Sequence, residues 1–216
     1  MDSNPTLLEN CIQAISDSTM TLDRFSAETG IMSRTVANEL LEFLVEKGIG
    51  RRLHGSLISF SSTDRLRASI LAIKYGGEIR KVACSLSWKD FERFASEILS
   101  SCGFNTTKNV RFTKPRAEID IIATKLHFAL SIDCKHWACT ERSRLAIYTE
   151  KQIKRTERLL QSSPKLRVIV PMLLTIYPNR KPNDINAVPI VEIDKLRFFV
   201  EEIEVNLDKV FCLTKD

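Results

Sequence analysis

Two stretches decide the fold: AEIDIIAT at residues 117–124 and ALSIDCKHW at residues 129–137. Each is an apolar run of strand length, and each carries an acid. Side chains alternate across a strand, so Asp133 and Lys135 share one face and Cys134 points to the other. A short hairpin between the runs brings Asp120 beside Asp133. Two carboxylates and an ammonium are rare on buried strands, because an unpaired charge there is costly. An acid-x-Lys triplet alone is worth little, since composition yields roughly two by chance in a chain of this length. The bland reading of Asp133 and Lys135 is an ion pair on a sheet surface. The sharper reading rests on conjunction: the triplet lies on an apolar strand, at hairpin distance from a second buried aspartate.

The flanking sequence adds to that conjunction. Ser87-Trp-Lys-Asp90 starts a helix like a capping box, with Phe91, Phe94, Ala95, Ile98 and Leu99 as its apolar stripe and Gly103 as its stop. Glu92 lies off the centre of that stripe. A polar strand, NVRFT, precedes the two acidic strands. A basic helix is expected from about Thr149 to Gln161, then an apolar strand LRVIVPMLLTI, another strand VPIVEI, and a last helix opened by Asp194. The predicted order is α-β-β-β-α-β-β-α.

This order and these residues resemble the PD-(D/E)XK, or restriction-endonuclease-like, superfamily, nearest its Mrr-like restriction endonuclease and archaeal Holliday-junction resolvase branches. The resemblance covers roughly residues 87–203. It implies an α/β fold in which a mixed sheet is flanked by helices. The family's first-helix acid matches Glu92, its first strand aspartate matches Asp120, and its acid-x-Lys matches Asp133-Cys134-Lys135. Aspartate stands here where glutamate is commoner. His136-Trp137 fits the basic or aromatic run that often follows the lysine. Some branches carry a Gln or Tyr facing the site, and Gln152 and Tyr148 stand at suitable places. Thr149-Glu-Lys-Gln152 also reads as a capping box, the preferred reading, so an accessory role for Gln152 stays open beside it.

The resemblance implies a metal-dependent DNA endonuclease. Phosphodiester hydrolysis needs a water near a phosphorus shielded by negative oxygens. Carboxylates and carbonyls suit Mg2+ or Mn2+. Asp120, Asp133 and the backbone carbonyl of Cys134 would be ligands, and Glu92 would hold a water or a second ion. Lys135 would orient the attacking water or stabilise the charge that develops on phosphorus. Lys151, Lys154, Arg155 and Arg158 would track the DNA backbone without reading sequence.

Residues 6–60 read as three helices and a hairpin. Thr21 caps the second helix and Gly30 stops it; Ser33 caps the third, whose inward residues are Val36, Leu40, Phe43 and Leu44. IGRRLHGSLISF supplies two short strands around His54-Gly55. The pattern resembles a winged helix-turn-helix. That family puts the third helix in the major groove, which would present Arg34, Thr35, Asn38 and Glu42. Glu39, Glu42 and Glu46 make this helix acidic, so Arg51 and Arg52 of the wing are the better electrostatic contacts. Dimerisation, or docking on the neighbouring domain, is the competing use of such a module. A helix with Leu66, Ile70 and Ile73 on one face follows, broken at Gly76-Gly77. The expected division is 1–62 winged helix-turn-helix, 63–86 linking helix and connector, and 87–216 nuclease.

Composition is that of an ordinary soluble protein of 216 residues. The net charge of +5 is uneven: residues 1–50 hold three Lys or Arg against eight acids, and residues 151–181 eight against one. A basic stretch serves a solvated face and a polyanion-binding groove alike. No apolar run approaches the ~18 residues of a membrane span, and the N-terminus does not read as a secretory signal. The cysteines at 11, 84, 102, 134, 139 and 212 form no CxxC pair and read as reduced thiols, which implies a cytoplasmic protein. Zinc on Cys134, His136 and Cys139 is disfavoured because the sequence offers no second ligand pair. His54 and His127 fall at turns, and no histidine is assigned a catalytic role. A homodimer follows from the family alone, since cutting both strands of a duplex takes two sites. The competing functions are a catalytically inactive DNA-binding regulator and a structure-specific nuclease acting on junctions or flaps in repair.

Overall fold

The computed structural model describes residues 4–54, 57–136, 142–177 and 184–215. The chain divides into two compact units, Met1–Asp90 and Phe91–Asp216.

The first unit runs α1 (Pro5–Ala14), β1 (Thr19–Thr21), α2 (Leu22–Thr29), α3 (Arg34–Glu46), β2 (Arg51–Arg52), β3 (Leu57–Ser59), α4 (Asp64–Lys74) and α5 (Ile79–Cys84). Thr21 and Ser33 cap α2 and α3 by accepting from the N–H groups of Arg24 and Val36. Gly30 closes α2 in the left-handed region at φ 70. The strands form one antiparallel sheet in the order β1-β3-β2. Gly50 enters β2 at φ 77, and a Cβ there would lie 2.7 Å from the Phe60 ring, so glycine is required.

The inward face of α3 is Ala37, Leu40, Leu41 and Leu44. Val36 and Phe43, expected inward, are only half-buried. Phe43 lies on the flank, edge-on to Tyr75 at 5.6 Å. Leu66, Ile70 and Ile73 of α4 are likewise half-buried, and the fully buried face is Asp64, Ala68, Ser69 and Ala72.

The second unit begins within α6 (Trp88–Ser101) and continues β4 (Asn105–Phe112), β5 (Ala117–Lys125), β6 (Phe128–Lys135), α7 (Arg142–Ser162), β7 (Val168–Thr175), β8 (Asp184–Ile185), β9 (Val188–Glu192), α8 (Leu196–Glu202) and β10 (Leu213–Thr214). Ser87 and Asp90 make the expected cap: the Asp90 N–H donates to Ser87 Oγ at 3.2 Å, and Ser87 Oγ donates back to Asp90 Oδ2 at 2.8 Å. The sheet order is β4-β5-β6-β7-β9-β8, with β10 also on β7. The β4-β5-β6 meander is antiparallel, whereas β6-β7 and β7-β9 are parallel. Parallel strands need a crossover, and α7 supplies the one between β6 and β7. From Phe128 to Asp133 every residue of β6 is buried, as expected for a central strand covered on both faces. Ile119, Ile122, Ala129, Leu159, Leu160 and Ile169 pack α7 onto the sheet.

One expectation needs correction here. The basic helix starts seven residues before Thr149, so Thr149 is an interior residue whose hydroxyl donates back to Ala146 O. It caps nothing, and the capping reading of Gln152 falls with it. Glu92, off the centre of its apolar stripe, is only 4% exposed.

Candidate active site

The β5-β6 hairpin builds the centre. Ile121 pairs with Ile132, and one step further Asp120 stands opposite Asp133. The Cys134 N–H donates to Asp120 Oδ2 at 2.7 Å, which fixes the Asp120 carboxylate against the neighbouring strand. On the other side of Asp120, the β4 ladder lapses at Asn109, which sits at φ 55.

Asp133 is buried and carries two cations. Arg155 donates to its Oδ1 at 3.1 Å, and Lys135 Nζ lies 2.5 Å from its Oδ2. The Lys135 contact is an ion pair without hydrogen-bond alignment, so Oδ2 is a buried oxygen that no well-directed donor reaches. Lys135 Nζ also stands 4.8 Å from the centre of the Tyr148 ring, a cation-π contact.

From α7, Gln152 is fully buried and donates its amide to Ser131 O at 2.8 Å and Ser131 Oγ at 2.9 Å. Its Oε1 faces Arg155 at 3.4 Å. Tyr148, Gln152 and Arg155 are spaced four and three apart, which is one face of a helix. That spacing was the available signal for Arg155 as a site residue. Its basic character placed it only among the backbone contacts.

Two of the acids are electrostatically strained. Burial, then the charges of Asp120, Glu118 and Asp133, push Glu92 from 4.5 up to about 7. Burial, then Asp133, push Asp120 from 3.8 up to about 6, against the Cys134 N–H, Lys135 and Arg155. Among the described residues, no three His, Cys, Asp or Glu side chains stand closely enough to form a metal-binding group. The donor set still fits a hard cation. It offers oxygen ligands only, one of them is a buried oxygen that lacks a well-directed donor, and the raised pKa values of Asp120 and Glu92 show carboxylates crowded by negative charge that a cation would relieve.

Beside the centre lies a groove of about 650 Å³ lined by Arg116, Lys151, Lys154, Arg155 and Arg158, with Pro115 and Glu157. Lys151 and Lys154 are exposed, and Lys154 pairs with Glu150 at 2.6 Å. Arg158 donates to Pro115 O at 2.8 Å. Arg116 was not foreseen as a lining residue.

In the first unit Arg34, Thr35 and Asn38 lie exposed on α3, and Arg51 and Arg52 lie exposed on β2. Arg34 pairs with Asp23, and Arg52 pairs with Glu42. The wing tip at 55–56 falls outside the described residues. So do Trp137 and Cys139, and with Cys139 one of the three ligands considered for zinc. His54 and His127 are exposed, while the His136 ring packs edge-on to Phe91 at 5.7 Å.

Residues 83–164 match the family model Mrr_cat, described as restriction endonuclease. All four residues of the acid and lysine set, with Gln152 and Arg155, fall inside the match. A comparison with curated proteins gives no match. Among solved structures, protein VC1899 from Vibrio cholerae is similar over 95% of this chain and 51% of its own, at 16% identity and a TM-score of 0.45. Can2 from Sulfobacillus thermosulfidooxidans, solved with cyclic tetra-adenylate, is similar over 95% of this chain and 50% of its own, at 13% identity and a TM-score of 0.35. The chain thus spans about half the length of either structure.

Proposed function

We propose that this chain, which carries a restriction-endonuclease domain over residues 83–164, is a divalent-metal-dependent endonuclease that hydrolyses phosphodiester bonds in DNA. The observation that carries this reading is the hairpin register, which sets Asp120 against Asp133-Cys134-Lys135 inside the matched residues. Asp120 and Asp133, with Glu92 and the Cys134 carbonyl, would hold Mg2+ or Mn2+. When bound, the cation lowers the pKa of a water and neutralises charge on the reacting phosphate.

The chain's own residues do the rest. The Cys134 N–H fixes Asp120 in one orientation. Lys135, held between Asp133 and the Tyr148 ring, orients the attacking water and meets the charge that grows on the phosphoryl oxygens. Gln152, anchored on Ser131, keeps α7 in register with β6. Lys151, Lys154, Arg155 and Arg158 line a groove of about 650 Å³ and would hold the phosphate backbone there.

The first unit is a targeting module in this reading. Helix, strand, two helices and two strands, closed as a β1-β3-β2 sheet, support a winged helix-turn-helix. Arg34, Thr35 and Asn38 on α3, and Arg51 and Arg52 on the wing, would face DNA. A two-fold dimer would cut both strands. The five free cysteines among the described residues suit the cytoplasm.

The test is incubation of supercoiled plasmid with Mg2+ or Mn2+, comparing wild type with Asp133→Ala and Lys135→Ala. Cleavage by wild type alone supports the proposal. Equal cleavage by the variants assigns the activity to a contaminant, and an inert wild type favours a DNA-binding regulator.

A further inference from the structure

We propose that Arg155 couples the grip on the DNA backbone to cation binding: it neutralises Asp133 while the groove is empty and turns to a phosphate when the groove fills. The inference rests on the nuclease reading and names how that same site is regulated.

Arg155 belongs to two places at once. Its guanidinium donates to Asp133 Oδ1 at 3.1 Å, and its side chain lines the groove with Arg116, Lys151, Lys154 and Arg158. The Asp133 side chain is 4% exposed and that of Arg155 is 26% exposed, so Arg155 spans from a buried carboxylate to the surface. Among the described residues, its hydrogen bonds in the centre are confined to two acceptors. Beyond the Asp133 contact it has a long bond of 3.4 Å to Gln152 Oε1. Gln152 is itself anchored through its amide on Ser131, so it stays when Arg155 leaves. Lys135 remains at Oδ2, so departure of Arg155 bares the Oδ1 side alone.

A guanidinium prefers a phosphate it can grip with two parallel bonds. A cation arriving at Asp133 meets the charge of Arg155 at the same oxygen, and the two compete for it. Backbone phosphate relieves that competition. Linkage makes the effect mutual, since the factor by which DNA tightens the cation is the factor by which the cation tightens DNA. The centre would then load its metal where substrate already lies.

The test uses the full chain in two titrations. Mn2+ binding to the DNA-free protein is followed by electron paramagnetic resonance for wild type, R155Q, R155K and D133N. Binding of a fluorescein-labelled duplex is followed by anisotropy with and without Ca2+. R155Q should bind Mn2+ about fivefold tighter than wild type or better, and R155K, which retains the charge, should stay near wild type. Ca2+ should tighten the duplex about fivefold for wild type and leave R155Q unchanged. R155M replaces R155Q if the latter melts early. Equal or weaker Mn2+ binding by the folded R155Q, with D133N losing the ion, overturns the coupling and leaves the nuclease reading standing. Mn2+ binding that D133N does not impair, or none in wild type, removes both.

Discussion

The Cys134 N–H donates to Asp120 Oδ2 at 2.7 Å, tying the acid of β5 to the strand that carries Asp133 and Lys135. A backbone donor costs no side-chain entropy and fixes the carboxylate before any substrate arrives. It also favours the ionised form of Asp120, against burial and the charge of Asp133.

The balance still leaves Asp120 and Glu92 with pKa values raised to about 6 and about 7. The folded chain therefore holds these protons more tightly than the unfolded chain does. The stability this brings is fully present below the ordinary values of 3.8 and 4.5 and is lost as pH rises through 6 and 7. Asp120→Asn or Glu92→Gln should thus melt above wild type at pH 8, by about 2 °C or more, and close to it at pH 4. Thermal melts across that range check this. Added Mn2+ should raise the wild-type melting temperature more at pH 8 than at pH 5.5, because bound carboxylates must be deprotonated.

Gln152→Ala removes a buried amide that makes two bonds to Ser131. Ser131 O is left short of a donor and a void opens between α7 and β6. The loss should be about 2 kcal/mol in urea denaturation. Gln152→Glu should be worse than its size implies, since its carboxylate cannot donate to Ser131 O.

The proposed function makes the groove residues contacts to the DNA backbone. Lys151→Ala should weaken duplex binding alike for unrelated sequences and lower the slope of log affinity against log salt by about one. Arg158→Ala should do the same and also lose its bond to Pro115 O. Anisotropy titrations in Ca2+ over a range of NaCl measure the slopes.

On the first unit, Arg34 pairs with Asp23 at the surface, with both side chains about 70% exposed. Such a pair contributes at most about 1 kcal/mol, so Arg34→Ala should leave the melting temperature nearly unchanged. If α3 reads bases, Arg34→Ala and Asn38→Ala relax discrimination among linear duplexes. Unaltered discrimination together with preferential cutting of four-way junctions would contradict that role.

The acidic hairpin was legible because period-two alternation and a short connection fix which residues face each other. The α7 contribution was harder to read. The TEKQ run imitates a helix start, and only the true start at Arg142 turns Gln152 inward. In α3, apolar residues at 36, 37, 40, 41, 43, 44 and 45 allow overlapping stripes. The buried one is 37, 40, 41 and 44, spaced for a single face, and Phe43 moves to the flank against Tyr75. The spacing of Arg155 with Tyr148 and Gln152 puts it on their helix face, but not on Asp133, because that contact joins residues 22 apart through tertiary packing.

The most direct test is single-turnover cleavage of a covalently closed plasmid by wild type and Asp120→Asn at saturating Mn2+. Asp120→Asn retains an oxygen for the Cys134 N–H and removes the charge. The account predicts conversion of closed circles to nicked or linear DNA by wild type, stopped by EDTA, with a loss of at least about a thousandfold in the variant. Equal rates for the two proteins, or cleavage that persists in EDTA, would contradict it.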